Sequence, residues 1–431
     1  MSTITTDINL TGKIVKAFEA MAGKDEHRQE AFNRFQKFGL PTNKSEEYRF
    51  TPIARALEMN FNFDEINSSS AFDSVKEFLI PQLEANVIVF INGFYSKEFS
   101  KIISPKNELE ISNLKSAIET GEAIPYFEKY LTTKADPFTA MNSAFWQDGI
   151  FVRVPAHTKV EKPLLVLHIN DATKNESIIH TRLLVVLEEG SELMLIERTA
   201  STGANNILHT FAEEIVVKEN ASLEYVKIQN DEGKLHQVAN TMIHQSGGSK
   251  LNTFTLTLSG TLIRNNFNIA IDGENCESHF YGLYLLNGNT LADNHTVVDH
   301  LKPNSYSNEL YKGVMDGNSK GIFNGKIFVR PHAQKTNAFQ SNRNILLTDT
   351  ATINTKPQLE IWADDVKCSH GCTTGQLDEE ALFYLRSRGI PEADAKAMLL
   401  YAFAKETLGP IKNEILKNYL DGLVSARLNQ F

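Results

Sequence analysis

The spacing of apolar residues changes character twice along the 431 residues of the chain. Up to about residue 147 it is mostly helical. Ile14, Ala17, Phe18 and Met21, then Phe32, Phe35 and Phe38, recur at intervals that predict helix over 14–38, stopped by Gly39 and Pro41. Ser68, Ser69 and Ser70 read as a loop. Val87 to Ile91 is a buried-strand run closed by Asn92-Gly93, and short helices are expected over 113–146.

From about 150 to 366, strand-length apolar runs recur between turn pairs such as Glu189-Gly190, Asp272-Gly273, Asn287-Gly288, Asp316-Gly317 and Asn324-Gly325. No helical period longer than two turns interrupts them, which predicts an all-β region. One phrase repeats loosely. Val186-Leu187-Glu188-Glu189-Gly190-Ser191-Glu192-Leu193 resembles Val216-Val217-Lys218-Glu219-Asn220-Ala221-Ser222-Leu223, and Ile271 to Ser278 is a weaker copy. Each copy sets Gly or Asn before a small residue, as suits positive φ where the chain turns a corner. Stacked strand–corner–strand units describe a β-helix. Helical spacing returns in 376–431. Asp378 is a candidate N-cap, Gly389 and Pro391 separate two helices, and Gly409-Pro410 precedes a third with Ile415, Leu416, Tyr419, Leu420 and Leu423 as its stripe. The expected organisation is a mostly helical region 1–149, a β-helix core 150–375 and a helical region 376–431.

Composition narrows the function classes. Lys plus Arg number 43 and Asp plus Glu 53, a net charge of −10, so nothing favours a nucleic-acid backbone. Three cysteines, Cys276, Cys368 and Cys372, argue against a disulfide framework and for a reducing compartment. Apolar runs are strand-length, far short of the ~20 residues of a membrane span, and Met1 to Thr11 has no basic start or apolar core of a signal peptide. A cytoplasmic protein is expected.

The densest candidate chemistry is Cys368-Ser369-His370-Gly371-Cys372. On a strand, positions i, i+2 and i+4 share a face, and thiolate with imidazole suits iron, zinc or an iron–sulfur cluster. Three ligands do not close a structural metal site, so any metal would be shared or transient. The structural alternative is a reduced thiol pair at a sheet end with a locally bonded His370. Cys276 occupies the small-residue slot of the repeated phrase and reads as a buried corner residue. Asp293-Asn294-His295 and Asp299-His300 could ligate a metal, although a carboxylate orienting an imidazole is also a structural pair. His332 lies in a polar stretch, 329–340, that reads as a corner network. Nucleotide chemistry is disfavoured. Gly321-Ile322-Phe323-Asn324-Gly325-Lys326 has one residue too few for a P-loop, and no Rossmann fingerprint or Gly-x-Ser-x-Gly elbow occurs.

Several phrases together resemble the SufB/SufD family of the Suf iron–sulfur cluster assembly system, over nearly the whole chain. They are Leu40-Pro41-Thr42-x-Lys44-x-Glu46 with Tyr48 and Phe50-Thr51; Asn142-x-Ala144-Phe145-x-x-Asp148-Gly149 with Val154-Pro155; and Glu161-Lys162-Pro163-Leu164. Ala333-Gln334-Lys335-Thr336, Asp364 to Gly371 and Tyr384 to Ile390 complete the set. The resemblance is nearer the SufD branch. SufB members carry Glu-His-Glu-Ala where this chain reads Ser369-His370-Gly371-Cys372, and a cysteine where it reads Ser341-Asn342. Alanine is common in the family where Cys372 stands, and tryptophan where Tyr48 stands.

The resemblance implies a right-handed parallel β-helix between helical ends. It also implies a non-catalytic assembly subunit that pairs with SufB through the β-helices and docks the ATPase SufC through the C-terminal helices. Phe383, Tyr384, Arg386, Arg388, Leu400 and Tyr401 are the expected docking residues. His370, Cys368 and Cys372 are the expected contacts for iron or a nascent cluster at the shared interface, with no stably bound cofactor. Alone, the chain could form a homodimer through the surface meant for SufB. Two rival readings remain: a β-helix enzyme acting on a carbohydrate or small substrate, and a purely structural subunit.

Overall fold

The computed structural model describes residues 10–61, 75–134, 136–231 and 233–431. The expected loop at Ser68–Ser70 lies outside them. The chain is mainly β, with 43% of residues in strands against 23% in helices, and its core is a β-solenoid of about eight turns. Successive strands alternate between two sheets. Among the described residues one has ten strands, ending at Lys367–Gly375, and the other has nine, ending at Thr352–Ile361. Neighbouring coils pair in parallel and in register, as in Glu309↔Gln340 and Gln340↔His370. The run at Asn86–Ile91 is itself a rung, parallel to Leu164–Ala172.

The repeated phrase is the corner of the solenoid. Gly190, Asn220 and Asn275 have φ of 63°, 58° and 59°, and the same corner recurs at Gly248, Asn304 and Lys335. The residue after each (Ser191, Ala221, Ser249, Cys276, Ser305, Thr336) is buried. The left-handed residue turns its N–H along the stack. Gly190 donates to the carbonyl of Glu219, Asn220 to Gly247, Gly248 to Glu274, Asn304 to Gln334 and Lys335 to Asp365. A small side chain must follow, because it is packed between the corners above and below. Cys276 is therefore the corner residue that its sequence slot predicted.

Helices cover the two outer sheet faces. Leu10–Ala20, Glu26–Phe38 and Pro137–Phe145 pack Phe18, Phe32, Phe35 and Phe145 against Ile178, Leu208, Val238 and Leu262 of the nine-stranded sheet. The single helix expected over 14–38 is two. Gly23 takes φ 70° and the Asp25 carboxylate accepts from the Arg28 N–H, which starts a new helix. On the opposite face, Glu392–Leu408 and Glu414–Leu428 lay Leu400, Ala404, Leu416, Leu420 and Val424 on Ile196, Val226, Leu256 and Leu283. Among the described residues, no helix is long and apolar enough to cross a membrane.

Beyond these helices the C-terminal end of the solenoid is open. The last coil is far more exposed than those before it. Neither terminal strand has a further neighbour among the described residues.

Candidate functional site

The strand Lys367–Gly375 carries the Cys-x-His-x-Cys run on this open end. Its register sets Cys368 beside Ala338, His370 beside Gln340 and Cys372 beside Asn342. Ala338, Gln340 and Asn342 are buried inside the solenoid, so the alternation of the strand turns Cys368, His370 and Cys372 to that same interior side. Cys368 packs against the interior apolar cluster, and its burial pushes the thiol pKa up. His370 and Cys372 are exposed at the mouth, and the Cys372 sulfur lies 3.0 Å from the Thr355 hydroxyl across the coil. The shared face expected from the spacing is present.

The same geometry limits what the run can do alone. Residues i and i+2 of a strand stand about 6.6 Å apart. Two ligands of one zinc or iron ion lie within roughly 4 Å of each other, since each bond is about 2.0–2.3 Å. Among the described residues, no group of three or more His, Cys, Asp or Glu side chains is arranged to hold a metal ion. The run therefore offers separate donors, each able to contribute to a site completed from outside the chain.

Behind the mouth lies a polar interior. Asn342 donates to the Tyr284 hydroxyl at 2.9 Å, and Asn344 donates to Asn342 at 2.7 Å. Deeper, Lys227 is held between Glu197 (3.3 Å) and Glu213 (3.0 Å). Burial and the neighbouring Glu197 charge push the Glu213 carboxyl above its usual range. This carboxylate pair is sealed inside the solenoid, out of reach of a saccharide. Sequence reading missed these inward-facing charges. Their signal is a period-2 position occupied by Glu197 on one strand and Lys227 in register on the next.

The other candidates have structural roles. Asp293 is fully buried, bonded by Arg264 and Thr51, with His295 at 3.0 Å. Despite its burial, Arg264 and His295 hold its carboxyl far below the usual range. Asp299 pairs bidentately with Arg330 at 2.8 and 2.7 Å, and His300 bonds Ser307. His332 is exposed at its corner, where the Gln334 side chain accepts from the Asp365 N–H.

The residues expected to dock a partner do not form one surface. Phe383 and Tyr384 stand 73% and 57% exposed on the short helix Glu379–Ser387. Arg388 lies over the Tyr384 ring at 5.2 Å, and Arg386 pairs with Glu392 at 3.3 Å. Leu400, by contrast, is completely buried against the ten-stranded sheet, and the Tyr401 hydroxyl is tied to Asp421 at 2.6 Å. The apolar stripes of the two longer helices cover the solenoid face, which leaves the first short helix as the projecting element.

Comparison with known proteins is consistent over nearly the full length. Residues 168–403 match the family model described as "SUF system FeS cluster assembly, SufBD core domain", and residues 15–166 match "SufBD protein N-terminal region". The chain is 30% identical to the iron–sulfur cluster assembly protein SufD of Escherichia coli, over 95% of both chains. It is also 30% identical to the SufBD family protein slr0076 of Synechocystis, over 93% of this chain and 90% of that one. It is 27% identical to the chloroplastic protein ABCI7 of Arabidopsis thaliana, over 89% and 82%.

Proposed function

We propose that this chain, which belongs to the SufBD family of iron–sulfur cluster assembly proteins, is a SufD-type subunit that completes its metal-handling site only against a partner. The observation that carries this reading is the open last coil with Cys368 and His370 on its inward side. Two unpaired strand edges at one end of the solenoid suit a second solenoid end, which would continue both sheets. A SufB partner supplies such an end and can bring the missing ligands. The role of His370 and Cys368 is then to lend a nitrogen and a sulfur to iron or a nascent cluster at the junction. Burial raises the pKa of the Cys368 thiol, and a thiol binds metal as thiolate, so metal contact there is coupled to loss of a proton.

The test is reconstitution with SufB and SufC. His370→Ala and Cys368→Ala complexes should assemble with normal stoichiometry. Their iron content and cluster absorbance should fall at least several-fold. Normal iron uptake and cluster maturation in both variants would remove the site and favour the purely structural subunit.

The projecting helix Glu379–Ser387 is the proposed dock for SufC. Its exposed Phe383 and Tyr384 form an apolar patch next to Arg388, whose guanidinium is held on the ring. Phe383→Asp and Arg388→Glu should each weaken SufC binding by tenfold or more while leaving the melting of the isolated chain unchanged, since this helix has no buried residue. Unaltered affinity, measured by titration calorimetry, would move the dock elsewhere.

A further inference from the structure

The interior of the last coils holds a line of side chains of which the proposed function uses only the last. Glu309, Gln340 and His370 occupy successive rungs of the ten-stranded sheet in direct register. Strands in a sheet are about 4.8 Å apart, so each side chain lies beside the next along the solenoid axis. Glu309 and Gln340 are buried, and His370 is the exposed last member at the mouth.

The hydrogen bonding of this line has a direction. The Gln340 amide nitrogen donates to the Glu309 carboxylate at 2.7 Å. A carboxylate only accepts, so this contact fixes which end of the amide faces inward. The carbonyl end of Gln340 is then buried and has no partner among the described residues. A buried amide oxygen without a donor is rare, because it forfeits its hydration. Room for the amide comes from Gly325, where a Cβ would stand 2.3 Å from the Gln340 nitrogen. The rung on the free side of Gln340 is His370.

We infer that Glu309 and Gln340 are positioning residues for His370. Glu309 pins the amide, and the Gln340 carbonyl accepts the ring N–H of His370, which turns the lone pair of its other nitrogen toward the open end. A histidine that ligates a metal commonly donates its second N–H to a carbonyl or carboxylate, which fixes tautomer and ring orientation. The inference rests on the reading of His370 as a donor to metal at the junction, but its structural part can be tested separately.

The experiment uses the full chain labelled with 15N-histidine, at pH 8. Burial raises the Glu309 carboxyl to about 7, so this pH keeps it ionised. The 15N and two-bond couplings of His370, assigned by loss in His370→Ala, report its tautomer. The wild type should hold a single tautomer. Gln340→Leu should release it to a mixture. Glu309→Gln offers the amide a second orientation and should also give a mixture. It is nearly isosteric, so it serves if Gln340→Leu fails to fold. A His370 spectrum identical in the wild type and in these variants overturns the inference.

Anaerobic titration with ferrous iron alone, on the SufB-bound chain, then reads the metal part. Gln340→Leu should weaken the His370-dependent binding 10- to 100-fold. If the tautomer responds but no iron binding depends on His370, the positioning stands and the metal reading fails.

Discussion

Replacing Arg264 with methionine is expected to destabilise the chain by about 3–5 kcal/mol, the usual cost of leaving one half of a buried ion pair. Arg264 and Asp293 are both at most 1% exposed. Around them the N-terminal motif is fastened to the nine-stranded sheet. The Tyr48 ring lies 3.8 Å from the guanidinium, the Tyr48 hydroxyl donates to Asp136, and Thr51 donates to Asp293. The Tyr48 and Thr51 positions of that motif therefore have a physical role, which is to close a buried charge network between the first 60 residues and the solenoid. The sign of the pH dependence follows. In the native chain Asp293 is held ionised far below its usual range. In Arg264→Met the buried carboxyl loses its main counter-charge, so its pKa rises and protonation relieves the burial penalty. The melting deficit should therefore be larger at pH 8 than at pH 5, and protease should cut between residues 38 and 53 faster than in the wild type. Arg264→Met combined with Asp293→Leu should recover much of the loss. A single variant that melts like the wild type at pH 8 would show that the pair contributes nothing net.

Local features of this fold were legible and register-dependent ones were not. The corner was readable because Gly190-Ser191 and Asn220-Ala221 obey a backbone rule. The third copy, at Asn275-Cys276, stood two coils further on. The intervening Gly248-Ser249 was hidden among Ser246 and Gly247, and Lys335 adopts positive φ without the side chain that advertises it. The break at Gly23 and Asp25 was present as a glycine and a cap, but the phenylalanines on either side kept a helical interval across it. The face shared by Cys368, His370 and Cys372 follows from strand periodicity alone. The line Glu309–Gln340–His370 does not. Its members are about thirty residues apart, and only the pairing of three strands brings them together. Likewise, Leu400 belongs to an apolar stripe in any reading of the sequence, and the stripe itself does not say whether the solenoid or a partner covers it.

Introducing a charge at the open end separates folding from pairing. Ile353 lies on the terminal strand Thr352–Ile361 and packs against the interior cluster from its edge. In the isolated chain that edge is open to water, so the ammonium of Ile353→Lys can reach solvent at modest cost. Once a second solenoid end closes over the coil, the same ammonium is buried without a partner. Burying an unpaired charge at an interface costs on the order of 2–4 kcal/mol, which is roughly a 30- to 1000-fold loss of affinity. Ile353→Lys should therefore melt within a few degrees of the wild type, while association with SufB, and self-association at high concentration, falls by that factor. Glu219→Lys changes charge by a greater amount at an exposed corner in the middle of the solenoid and should leave both associations unchanged. Inward-pointing charges on terminal strands are how β-proteins keep sheet edges apart. The native last coil instead turns Ile353, Cys368 and His370 inward, a composition that suits a covered end. Sedimentation of the two variants with SufB decides the matter: equal affinity for Ile353→Lys and the wild type would mean that the partner does not close this end.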